Sequence, residues 1–169
     1  MVSSFIVFLL LICIAVLLHL LIKRHYTSRS KTIEIILFRS ILIGIGISCI
    51  YAFIGHMFFA DEIARSIGWP AGNPFQQEVG LANLAFGILG LLCYKFRDNF
   101  WLATVIGWFI FMVGAGIGHV YQAIVHADFS PNNVGPVLIY DLVFPVIILV
   151  LLLVYRHQSA MSQQKSELS

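Results

Sequence analysis

Charged side chains are scarce in this chain: ten Lys and Arg and eight Asp and Glu, 11% of 169 residues. Soluble domains carry roughly 25%, so a water-soluble fold of this length would lack the polar surface to cover itself. A net charge of only +2 also excludes the basic footprint of a nucleic-acid-binding protein. Cysteine is sparse as well. Cys13, Cys49 and Cys93 are odd in number, lie in apolar stretches and lack metal-finger spacing. That argues against a disulfide framework or a zinc ribbon and for small buried hydrophobes. Features of a cleavable leader are missing too. Met1–Ser4 carry no basic residue, and the first apolar run ends in Lys23-Arg24 without an A-x-A site, so this run is read as a retained helix.

What is abundant is apolar sequence: 60% of residues, with mean hydropathy +0.94. A helix needs about 20 apolar residues to cross the hydrocarbon. Five segments supply them, at residues 5–22, 33–60, 75–96, 100–126 and 137–155. The expectation is an all-α membrane protein, one five-helix transmembrane domain over residues 1–156, followed by a polar, irregular cytoplasmic tail over 157–169. Basic residues set the orientation. Lys23, Arg24, Arg29 and Lys31 fill the first loop, Lys95 and Arg97 the third, and Arg156 and Lys165 the tail. Only Arg65 lies clearly opposite. This pattern predicts the N-terminus outside and the C-terminus in the cytoplasm.

The two outward loops, ADEIARSIGWPAGNP and ADFSPNNVGP, are rich in turn-forming residues. In the first, Trp69 suits the headgroup zone, and Asn73-Pro74-Phe75-Gln76 resembles a capped helix start. Lipid gives no hydrophobic drive for helix association, so close packing relies on small residues. Ser40, Gly44, Ser48, Ala52 and His56 follow one another at intervals of four. Gln76, Gly80, Asn83, Gly87 and Gly90 recur at fours and threes, and Gly114, Gly118, Gln122 and His126 again at fours. These faces predict a compact bundle of helices two to five. The first helix has no such face and is expected at the periphery.

Within GHVYQAIVH, residues 118–126, three polar side chains interrupt an apolar helix. At 100° per residue His119, Gln122 and His126 share one face. His56 and Glu78 each lie about 6 Å inside the outer end of their helices, Asp141 about 7–8 Å, and His119 about 10 Å below His126. Intramembrane ionisable groups are expensive and usually paired. His56, Glu78, His119 and Asp141 are therefore the candidate ligands of a transition metal or other cation, with Gln122 and His126 as supporting candidates. Glu78 shares a face with Ala82 and Ala85 beside the glycine face of its helix. A b-type haem between His56 and His119 is a further cofactor reading. The absence of a Glu-x-x-His motif argues against a di-iron bundle. Simpler roles exist: His126 at the headgroups, Gln122 as interhelical glue, Glu78 paired with Arg65. Pro145 leaves the carbonyl of Asp141 without its helical partner.

The stretches IGWPAGNPFQQEVGLANLAFGILG and GHVYQAIVHADFSPNNVG resemble an uncharacterised family of small multipass membrane proteins from bacteria and archaea. The resemblance covers residues 50–150 and implies an inner-membrane location, without an assigned chemistry. Four functions fit: a metal- or cation-binding membrane protein, a small transporter or proton-coupled channel subunit, a membrane enzyme on a lipid-like substrate, and a structural subunit. Expected partners are the lipid bilayer and either further copies of the chain or a membrane complex.

Overall fold

The computed structural model describes residues 4–23 and 28–167, which contain helices and no strand. The side chains of Lys23 and of residues 165–167 also lie outside the described set, as do Arg24 and His25, so part of the basic pattern used for orientation has no structural counterpart here. Five helices are long and apolar enough to cross a membrane. The chain is a multipass membrane protein.

Helix α1 is Ser4–Lys23. Its apolar side chains are mostly exposed on the bundle surface, and Phe8 and Ile12 are its buried contacts. It is peripheral, as expected from its lack of small residues. Helix α2, Arg29–Phe58, begins at Ser28, whose hydroxyl accepts from the Lys31 N–H. Between Ser40 and Ile47 it widens into π-type turns. There the Gly44 carbonyl accepts from Ser48 Oγ at 2.6 Å and from the Tyr140 hydroxyl at 2.9 Å. The backbone ladder there runs from each N–H to the carbonyl five residues back, as from Ser48 to Ile43, and the two hydroxyls add to it.

The expected loop after α2 contains a helix. Phe59 breaks the chain direction, and α3, Ala60–Ile67, follows with Asp61 and Glu62 in its first turn. Carboxylates there complement the positive helix end. Gly68 ends α3 at φ 93°. The Gly68 N–H bonds the Arg65 carbonyl and the Trp69 N–H bonds the Ala64 carbonyl, a pairing that needs a left-handed residue after the helix. Helix α4 is Phe75–Leu92, and the Asn73 side chain caps its first N–H at 2.9 Å. Helix α5 is Asn99–His126, α6 is the short turn Pro131–Val134, and α7 is Pro136–Glu167. The tail thus departs from expectation: α7 runs eleven residues beyond Arg156, through SAMSQQKSE. That segment holds no glycine or proline to stop a helix already nucleated inside the bundle.

Four of the five long helices form two tight pairs. In the first, α2 lies along α4, and the buried face of α4 is Gln76, Gly80, Asn83, Gly87 and Gly90, the face read from spacing. Gly90 meets the Gly46 backbone, Gly87 meets Ile50, and Gly80 meets His56 and Met57. In the second, α5 lies along α7, with Gly116 against Leu142 and Asp141.

The pairs join through one half of the bundle only. Leu37, Ile41 and Ile45 of α2 pack there with Trp101, Val105 and Trp108 of α5 and Ile148 and Leu152 of α7, all fully or almost fully buried. Beyond this half the chain collects its charges: Arg97 bonds Glu34 at 2.6 Å, Lys31 bonds Glu34 at 2.8 Å, and Arg156 bonds Asn99 at 3.2 Å. In the other half α2 and α5 diverge. Helices α3 and α6 pack on each other across that end and cap it.

Candidate functional site

Where the pairs diverge they leave a cavity of about 1160 Å³. Ser48, Ala52 and His56 of α2 line one wall, and Gly114, Gly118, His119 and Gln122 of α5 line the other. Asp141 of α7 and Trp69 from the cap also line it. Its position explains the two small-residue stripes ending in polar groups. On α2 the stripe packs at Ser40 and Gly44 and then opens onto the cavity. On α5, Gly114 and Gly118 have no neighbour against which a Cβ would press. Their spacing resembles a packing motif, yet what it provides is empty volume.

His119 is held from behind by Asn133, a fully buried residue of α6. The Asn133 amide nitrogen donates to the carbonyls of Asp128 at 2.7 Å and of His119 at 3.2 Å. Its oxygen is thereby turned toward His119 Nδ1, 2.7 Å away. An amide oxygen only accepts, so Nδ1 carries the hydrogen. Nε2 of the neutral ring is then bare, and it faces Asp141 Oδ2 at 3.6 Å. Two bare acceptors repel, so the pair is complementary only when one proton lies between them. Both side chains are nearly buried, 11% and 7% exposed. The Trp69 ring stacks on His119 at 6.4 Å, and its buried indole N–H has no partner among the described residues.

His56 lies on the opposite wall, with Nδ1 2.7 Å from Gln76 Oε1. The structure therefore brings His56, His119, Asp141 and Gln122 to one cavity. It does not bring Glu78 or His126 there. Glu78 is exposed, because it follows Gln76 by 200° of helix rotation and so lies opposite the buried face. Nor does it pair with Arg65, whose partner is Glu62 at 3.7 Å. His126 is exposed and stands edge-on to Tyr121. Among the described residues no three His, Cys, Asp or Glu side chains gather where one ion could bind them. His119 and Asp141 offer two donors, and catalytic zinc sites use three protein ligands.

Sequence reading missed Asn133, Gln76 as the partner of His56, and Trp69 as a cavity residue. For Asn133 a signal existed: Ser130-Pro131 reads as a helix start, and Asn133 is the third residue of the short helix α6 that follows. Residues 2–161 match one family throughout, which settles the chain's kinship. The chain belongs to DUF6790, a family of unknown function. No curated protein and no solved structure matches it.

Proposed function

We propose that the protein binds a neutral, hydroxyl-bearing apolar molecule drawn from the bilayer, and that His119 and Asp141 exchange a proton with its polar group. The supporting observation is the cavity itself. It is mostly apolar, has the size of a lipid-like ligand, and carries at one wall an imidazole with a fixed tautomer beside a buried carboxyl group. A hydroxyl group has one hydrogen to donate to Nε2 and two lone pairs, one to accept from the Trp69 N–H and one to accept from a protonated Oδ2, so one group can serve all three. Exposed Tyr51 and Ile54 on α2 and Ile117 and Tyr121 on α5 border the cavity, which suits access from lipid.

The tightly packed half beneath the cavity favours a binding site over a conducting path. A divalent cation at His119 and Asp141 would need ligands from water or from the bound molecule. The distribution of basic residues supports an inner-membrane protein with the cavity in the outer leaflet.

Mass spectrometry of small molecules retained by the protein after mild detergent extraction tests the proposal. The wild type should retain a hydroxyl-bearing apolar molecule that Gly118→Leu, which fills the cavity, loses. Retention of stoichiometric metal and no organic molecule would overturn it in favour of a cation site.

A further inference from the structure

A second, smaller cavity of about 420 Å³ lies near the charged end, between α1 and α2. Ala15, Leu18, His19 and Ile22 line it from α1, one face at helical spacing, and Arg39 lines it from α2. Arg39 sits five residues beyond Glu34, about 7–8 Å deeper along the helix than the Glu34–Arg97 pair. An arginine inside a membrane span ordinarily finds a carboxylate or reaches the headgroups. Among the described residues Arg39 makes no ion pair. Its Nη2 donates to His19 Nδ1 at 3.2 Å, and its guanidinium carbon lies 5.5 Å from the centre of the Phe38 ring. Its Nε is buried and has no hydrogen-bond partner among the described residues. A permanently charged fork therefore ends in a half-apolar groove with no carboxylate paired to it among the described residues.

We propose that this groove binds one anionic phospholipid, with the headgroup phosphate on Arg39 and an acyl chain along Ala15, Leu18 and Ile22. A guanidinium matches phosphate oxygens in planar, two-pronged geometry. A zwitterionic lipid would bring its own ammonium toward the same cation, whereas an anionic lipid would not. Arg29 and Lys31 at the same end add positive potential. The site shares no residue with the cavity under the cap, so either proposal stands without the other.

Native mass spectrometry of delipidated protein, titrated with phosphatidylglycerol or phosphatidylcholine, tests it. Wild type should hold one phosphatidylglycerol in preference to phosphatidylcholine. Arg39→Gln should weaken that binding about tenfold or more, the value of one lost charge-assisted hydrogen bond. Leu18→Trp, on an exposed side chain that leaves Arg39 in place, should weaken it by a similar factor without lowering Tm in phosphatidylcholine. Equal binding of the two lipids would overturn the proposal. So would unchanged phosphatidylglycerol binding in Leu18→Trp, or a rise in Tm with inorganic phosphate alone that matches the rise with phosphatidylglycerol.

Discussion

The tautomer of His119 depends on a residue in another element. Asn133 donates to two carbonyls, and only its oxygen is left for the imidazole. Replacing Asn133 with Ala removes all three bonds from a fully buried position. Each orphaned buried group costs about 1–3 kcal/mol, so Asn133→Ala should lower stability measurably in reversible detergent unfolding. Asn133→Ala should also free the ring to place its hydrogen on Nε2, toward Asp141. Nitrogen NMR of histidine-labelled protein should show the Nδ1–H form of His119 in wild type and a shift toward Nε2–H in the variant. An unchanged spectrum would mean that Asn133 does not set the tautomer. His119, Asp141 and His56 were legible in the sequence as costly groups in apolar helices. Their partners were not, because an Asn in a turn or a Gln at a helix start has a local explanation that satisfies the pattern.

At the scale of helices, two glycine-bearing stripes, each confined to one helix face, have opposite roles. On α4, a Cβ at Gly90 would lie 2.5 Å from the Gly46 nitrogen, and backbone cannot move aside as a side chain can. Gly90→Val should therefore force α2 and α4 apart, at about 1–3 kcal/mol typical of overpacking. On α5, Gly118→Ala meets nothing and removes a helix-weakening residue, so it should raise stability by up to about 1 kcal/mol. Thermal unfolding of the two variants should shift in opposite directions. Spacing alone predicts the same sign for both, since periodicity reports which residues share a face and not what stands opposite. The same limit applied to the loop after α2. The run Ala60–Ile67 is only eight residues long, too short to separate from the turn-forming residues that follow it by pattern alone.

For the whole molecule, hydropathy was enough to place five membrane-capable helices, since a span leaves a signal of about 20 residues that turns do not erase. How they associate was legible only in part. The α2–α4 contact follows from its glycine face, but the separation of two pairs over half their length leaves no periodic trace. The proposed orientation puts the cap outside and the Glu34–Arg97 cluster inside. A cysteine at Glu62, exposed on α3, should react with a membrane-impermeant maleimide added to intact cells, and one at Lys95 should react only after the membrane is opened. The reverse pattern would invert the molecule and leave the cavity in the opposite leaflet.

The central claim is that the space beside His119 exists to hold an apolar molecule. Titration of the purified protein with a fluorescent tetraene fatty alcohol, followed by energy transfer from tryptophan, addresses it most directly. Trp69 lines the cavity and Trp108 is buried in the packed half, so occupancy brings donor and acceptor close. The account predicts saturable binding to wild type and to Gly118→Ala. Gly118→Leu should bind at least about tenfold more weakly, a loss of about 1.4 kcal/mol, with the fold retained. Equal binding by Gly118→Leu and wild type would contradict it.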